Sequence, residues 1–261
     1  AAERTVVECP LKLIDNQYQF DFDTYEGQLT GSERMIILSS PHNPGGRVWT
    51  ETELKEVARF AIKNDLILVS DEIHHDLVYP TNKHTVMPIA EPAVCNRLVM
   101  MTATTKTFNI AGAHSGNVII SNPDLHQKFS KRIAALGISP NSFGLFMATA
   151  AYSSEGAEWL ERLIKYIDGN RIIFDKAINM IPGLKSMPLE GTYLAWVDFS
   201  GTGMEEKEFI KRVQEKANIA VNHGSTFGTG GENFLRFNLA TPRKLVVEAT
   251  KRLEQAFSDL Q

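Results

Sequence analysis

"MIILSSPHNPGGRVWTETELKEVARFAIKNDLILVS", residues 35–70, is the stretch on which the fold turns. Its first six residues, "MIILSS", are a short apolar run that halts at "PHNPGG", a cluster of turn formers, which reads as a buried strand ending in a turn. Thr50 and Glu53 then stand at capping-box spacing, and Leu54, Val57, Ala58, Ala61 and Ile62 recur at helical intervals up to Asn64. "LILVS", residues 66–70, is again short, apolar and rich in branched side chains. Strand, helix and strand thus follow one another within one βαβ unit, which demands a parallel pair and a right-handed crossover.

The pattern extends outward from there. "RLVMMT" (97–102) and "NVIIS" (117–121) read as further strands, and from Pro123 the chain turns helical, its longest helix running over Glu155–Met180. After Pro182 and Gly183, "TYLAWVDF" (192–199) reads as a strand, Glu205 to Asn218 as an amphipathic helix and "NFLRFNLA" (233–240) as another strand. Thr241 and Pro242 have the chemistry of a cap and first position for a closing helix. The expected fold class is α/β: a mainly parallel-sheet large domain over residues 1–167 and a smaller C-terminal α+β domain over residues 168–261, divided inside the long helix.

With 43% hydrophobic residues in 261, the chain can bury a large core, and a net charge of −4 leaves no basic face to offset a phosphate backbone, so nucleic acid is not an expected partner. No apolar run reaches the length of a membrane span, and no basic-then-apolar leader opens the sequence; no membrane is expected, and the cytoplasm is the expected compartment. Cys9 and Cys95 are too few for a disulfide framework and form no CxxC pair, so both read as free thiols.

Ligands of open parallel sheets bind beyond the carboxyl ends of the strands. Three polar clusters fall at such ends here: "PHNPGG" (41–46), "DEIHHD" (71–76) and "TATTK" (102–106). Together they bring an amide, carboxylates, imidazoles and an amine to one sheet edge, which makes a site. Each residue also has a plainer role: Asn43 in an Asx-type turn, Asp71 or Glu72 as a cap, and His74, His75 and Asp76 as a solvated face or a metal cluster, although no HExxH spacing supports a metal. Lys106, lodged among small hydroxyl residues just after a buried strand, is better placed than most lysines to act as a nucleophile. Other patterns fall away. "FGTGGEN" (227–233) does not give GxGxxG, no GxxxxGK[ST] occurs, and "GAHSG" (112–116) is not GxSxG.

Five motifs, "SSPHNPGGRVW" (39–49), "LVSDEIHHDLVY" (68–79), "TTKTFNIAG" (104–112), "GTYLAWVDF" (191–199) and "FLRFNLATPR" (234–243), occur in the order of a known family. The chain resembles the fold-type I pyridoxal-phosphate enzymes of the class I/II aminotransferase superfamily. "DEIHHD" together with "KTFNIAG" points to their MalY/PatB-like carbon–sulfur β-lyase branch, since typical aminotransferases resemble this with tyrosine where His74 stands. The resemblance implies a PLP-dependent transferase-like fold and the cofactor pyridoxal 5′-phosphate (PLP). By the same resemblance Lys106 matches the lysine joined to the cofactor, Asp71 the carboxylate on its pyridine nitrogen, Asn43 the amide at its 3′-oxygen and His74 a second group on that side. Thr105 matches a hydroxyl within reach of the phosphate, and Arg236 the arginine that receives the α-carboxylate of an amino-acid substrate. Considered alone, Arg236 could equally be a strand arginine in a surface ion pair.

The implied activity is a β-lyase acting on cystathionine-like or cysteine S-conjugate amino acids, releasing thiol, pyruvate and ammonia, in a homodimer. An aminotransferase is the second reading and an inert truncated fragment the third. Two departures stand out. His114 and Ala103 occupy positions where aminotransferases carry a phosphate-binding arginine and a small polar residue or glycine, which leaves His114 as a candidate for the phosphate. "AAERTVVECPL" (1–11) resembles a strand well inside the large domain, so the family's N-terminal part, with its glycine-rich phosphate loop and stacking aromatic, is expected to be lacking.

Overall fold

The protein is described over residues 3–260 by a computed structural model. Residues 3–10 form no strand, against the expectation for this segment, and pairing begins with the antiparallel hairpin of β1 (Lys12–Ile14) and β2 (Gln17–Gln19). Its two-residue turn places Asp15 and Asn16 at positive φ, a backbone that short polar side chains tolerate. Helix α1 (Phe22–Gln28) follows.

The decisive stretch folds as its pattern predicts. Strand β3 (Met35–Ser39), helix α2 (Glu51–Lys63) and strand β4 (Ile67–Asp71) make the βαβ unit, with Met35 opposite Ile67 and Ser39 opposite Asp71 in parallel. Both halves of the Thr50–Glu53 capping box are present, and the helix ends at Asn64. Leu54, Val57, Ala58 and Ala61 are buried; Ile62 stays exposed, and Phe60 packs inward instead. After helix α3 (Met87–Ala90), strand β5 (Leu98–Thr102) adds in parallel to β4. Helix α4 (Thr104–Thr107) is a single turn, and strand β6 (Asn117–Ile119) closes the sheet antiparallel to β5, giving the order β3-β4-β5-β6. Leu38, Leu68 and Leu98 meet Trp49, Leu54 and Val57 in one core, while Met35 and Ile37, on the opposite face of β3, are 51% and 69% exposed.

Three helices follow, α5 (Pro123–Ala135), α6 (Ser142–Ala151) and α7 (Ser154–Ile178), capped by the side chains of Asn122, Asn141 and Ser153. The second sheet is antiparallel throughout: β7 (Lys185–Ser186), β8 (Leu194–Asp198), β9 (Asn222–His223) and β10 (Phe234–Asn238), in the order β7-β8-β10-β9. Helix α8 (Glu206–Lys211) widens into a π turn over Arg212–Lys216, so the single helix expected over 205–218 is interrupted. Ala217 donates to the carbonyl of Arg212 and Ile219 to that of Val213, which puts Val213 and Ala217 fully into the core. Helix α9 (Arg243–Ala256) closes the chain. Pro242, not Thr241, occupies its cap position, one residue later than expected, because Thr241 is held in a turn by its bond to the Leu239 carbonyl. A second core gathers Phe174 and Ile178 of α7 with Val197, Leu235, Phe237 and Leu253.

The two halves interlock behind the "PHNPGG" turn. Buried Arg47 bonds Glu190 through Nε at 3.1 Å and Glu53 through Nη2 at 2.9 Å, so this cation is paired on both sides. Tyr79 donates to the Thr192 carbonyl at 2.8 Å, and Val78 bridges Gly191. Gly46 sits at φ +73°, and a Cβ there would lie 2.7 Å from Leu189 Cδ1, so only glycine fits this crossing. Among the described residues no helix is long and apolar enough to cross a membrane.

Candidate active site

The parallel order of β3, β4 and β5 brings three strand ends side by side, and the chemistry stands just beyond them. Asp71 is the last residue of β4, Asn43 lies four residues past β3, and Lys106 sits on α4 four residues past β5. The lysine turn is closed by Phe108 N–H donating to the Thr104 carbonyl at 2.9 Å, and Thr107 Oγ1 donates to Asp76 Oδ2 at 2.8 Å, tying the turn to the loop after β4.

Burial pushes the Asp71 carboxyl up from its ordinary range, opposed by the Ile73 N–H at 3.3 Å and by the charge of Lys106. Glu72, which the sequence left level with Asp71, belongs to the scaffold. It is fully buried and accepts bonds from Ser70 Oγ at 2.9 Å and Met87 N–H at 3.1 Å, with His84 Nε2 at 2.8 Å.

His74 is 4% exposed, its ring stands edge-on to Tyr193 at 5.7 Å, and its Nδ1 is buried with no partner among the described residues. Desolvation, aided by the charges of Lys106 and Arg236, lowers its pKa to about 4, so the imidazole is neutral at physiological pH.

Arg236 enters from the second sheet. It donates through Nη1 to Asn43 Oδ1 at 2.8 Å and through Nη2 to Asn222 Oδ1 at 2.8 Å, and it lies 4.7 Å over the ring of Phe227. Its Nε is buried and without a partner among the described residues. Two neutral amides fix the plane of the guanidinium and leave its charge uncancelled, in contrast to a surface ion pair. With Lys106 and Arg236 against Asp71, the site carries an excess of positive charge suited to an anionic ligand.

Asn43, Asp71, His74, Lys106 and Arg236 are thus drawn together, Asn43 and Arg236 by a hydrogen bond and the other three by the reach of the Lys106 charge. Thr105 stands beside the lysine, half-buried, whereas His114 is exposed at a positive φ after the short turn 111–113. Three neighbours escaped the sequence reading: Tyr193, Asn222 and Phe227. Asn222 lies directly opposite Arg236 in the β9–β10 pairing, but a two-residue strand leaves no periodic signal.

The buried histidine has a consequence for stability. Its folded pKa lies below the ordinary 6.5, so the unfolded chain takes up the proton first as pH falls. The contribution of neutral His74 is complete above pH 6.5 and is lost between 6.5 and about 4, by about 3 kcal/mol in all. Urea unfolding at pH 7 and pH 4.5 is expected to show a smaller acid loss in His74→Phe than in the parent; equal losses would contradict the assignment.

The chain is similar to proteins of known kind along nearly all its length. A profile of the family "Aminotransferase class I and II" matches residues 1–253. Cystathionine beta-lyase PatB of Bacillus subtilis is 33% identical over 258 residues, covering 98% of this chain and 66% of that protein. Aspartate aminotransferase of Pyrococcus abyssi is 28% identical over 248 residues, covering 94% and 62% respectively. The crystal structure of cystalysin from Treponema denticola, which contains pyridoxal 5′-phosphate, superposes with a TM-score of 0.94 at 38% identity, over 99% of this chain and 66% of that one. The chain therefore spans about two thirds of the length of these relatives. A profile match over residues 1–253, on a fold that sets an amine, a carboxylate and an arginine at one sheet edge, places the assignment beyond a likeness of motifs: the chain belongs to the aminotransferase class I and II family.

Proposed function

We propose that this chain carries the catalytic and binding residues of a PLP-dependent carbon–sulfur β-lyase acting on cystathionine-like or cysteine S-conjugate amino acids. The observation that carries the reading is the meeting of Lys106, half-buried Asp71 and two buried nitrogens without a partner among the described residues, His74 Nδ1 and Arg236 Nε, at one edge of the sheet. These residues fit pyridoxal 5′-phosphate: an amine for its aldehyde, a carboxylate for its ring nitrogen, and hydrogen-bonding groups left over for its oxygens and for a substrate. Lys106 would hold the group covalently, with Asp71 at the ring nitrogen, Asn43 and His74 beside the 3′-oxygen and Thr105 toward the phosphate.

The cofactor, when bound, draws electrons from the substrate Cα so that a proton there becomes acidic. Asp71 would hold a proton on the ring nitrogen. Arg236 receives the α-carboxylate, its plane set by Asn43 and Asn222. The Lys106 amine would remove the Cα proton of the seated substrate. Neutral His74 adds no competing positive charge beside Lys106. Loss of thiolate from Cβ and uptake of one water give thiol, pyruvate and ammonia.

An aminotransferase is the second reading, supported by the likeness to the Pyrococcus enzyme. The two are separated by incubating the chain, loaded with PLP, with S-alkyl cysteines. Pyruvate and thiol in equal amounts without an added keto acid support the lyase; product only when a keto acid is supplied supports the transaminase, and neither supports an inert fragment.

A homodimer completes the proposal, with the large and small domains divided at residues 167/168 and the protein in the cytoplasm. Helix α6 supports the dimer: Phe143, Leu145 and Phe146 are 72%, 55% and 77% exposed on a helix that is apolar all round, a pattern expected of a covered helix. Ile167 lies in the second core, whereas Trp159, two turns earlier, stacks on Phe108 of the lysine turn, which supports the division inside α7. Sedimentation is expected to show a dimer at micromolar concentration and at least a tenfold weaker one, about 1.4 kcal/mol, in Phe146→Glu. A monomeric parent chain would count against the dimer.

A further inference from the structure

The loop after β4 holds titratable groups that the proposed chemistry does not use. His75 Nδ1 lies 2.8 Å from the Glu72 carbonyl, and its Nε2 lies 3.1 Å from Asp76 Oδ1. A carbonyl only accepts, so Nδ1 must carry a proton; the carboxylate oxygen facing Nε2 asks for a second. The ring is therefore held between two acceptors, an arrangement satisfied by an imidazolium beside an ionised Asp76. The other oxygen of that carboxylate, Oδ2, accepts from Thr107 Oγ1 at 2.8 Å, and Thr107 is buried and adjacent to Lys106 on the single turn α4. Carbonyl, imidazolium, carboxylate and hydroxyl form one line from the strand end to the lysine turn.

We infer that His75 and Asp76 are positioning residues for Lys106: a doubly protonated His75 braces the Asp76 carboxylate, which in turn holds Thr107 and with it the turn that presents the amine. Removing the Nε2 proton would set a ring lone pair against Oδ1, repelling the carboxylate and releasing its grip on Thr107. The electrostatics agree in direction. Burial disfavours the charged ring, yet the bond and charge of Asp76, the Glu72 carbonyl and the Glu72 carboxylate together raise the His75 pKa. Burial likewise opposes ionisation of Asp76, but His75, Thr107 and the charge of His84 together lower its pKa. The groups facing this line are Glu72 within the loop, His84, whose ring stands 6.3 Å from that of His75, Tyr152 at the end of α6, which feels the Asp76 charge, and Lys106 itself.

The inference rests on Lys106 being the reactive amine, which reductive mapping with PLP tests separately; the following measurements use the cofactor-free chain. Nitrogen-15 NMR of the His75 ring is expected to show it keeping its second proton to higher pH than an ordinary histidine. Acetylation of Lys106 by a succinimidyl ester, read by mass spectrometry against the other lysines, is expected to change rate by about fivefold across the His75 titration, as loss of one hydrogen bond would produce. That step should vanish in Asp76→Asn and in Thr107→Val and return in Thr107→Ser. A His75 ring that loses its second proton at or below the ordinary 6.5 overturns the inference. So does a Lys106 rate in Thr107→Val that follows the parent profile.

Discussion

Lys106→Ala is expected to lose covalent capture of PLP entirely and to lower β-elimination by about 10⁴-fold or more, because in the proposed reaction one amine would both hold the cofactor and move the Cα proton. Among the described residues Lys106 is the amine whose charge reaches both Asp71 and His74, on a turn fixed at the end of β5. The substitution removes a half-buried side chain from a turn whose backbone bonds stay in place, so folding should persist. Assays of thiol and pyruvate release, with a urea midpoint as the folding control, read both effects. A variant that keeps a tenth of the parent rate would exclude Lys106 as the catalytic amine.

The largest effect on stability is expected one residue past a strand end. Glu72→Ala should cost about 4 kcal/mol, the loss expected when several buried polar groups lose their shared acceptor. The Glu72 carboxylate is fully buried and collects Ser70 Oγ, Met87 N–H and His84 Nε2; alanine would strip all three of their acceptor at once. Equilibrium urea unfolding at pH 7 measures the loss. A change under about 1 kcal/mol would mean that water or a relocated side chain takes over as acceptor.

The contrast between Asp71 and Glu72 shows where sequence reading reaches its end. Both follow the same apolar strand, and either could serve the site. Only the alternation of β4 and the packing of α3 separate them, turning Glu72 into the scaffold and leaving Asp71 within reach of the Lys106 charge. The βαβ unit was legible because its signals are local: the Thr50–Glu53 box, the five apolar positions of α2 and the turn residues of "PHNPGG". Strand β6 was legible as a strand but not in its direction, since three residues carry no information about the partner's polarity. The π turn at Arg212–Lys216 hid behind an amphipathic pattern that a helix of either kind satisfies. Asn222, Tyr193 and Phe227 reach the site through cross-strand pairing and ring packing, contacts that exist only once the second sheet is assembled.

The central claim is that Lys106 is the amine that binds pyridoxal 5′-phosphate. It is tested most directly by titrating the 261-residue chain with PLP, reducing with borohydride and mapping the labelled peptide. One stable adduct is expected, on the peptide containing "TTKTFNIAG", at Lys106 and absent from Lys106→Ala. Labelling spread over surface lysines, or a single adduct elsewhere in a folded chain, would contradict it.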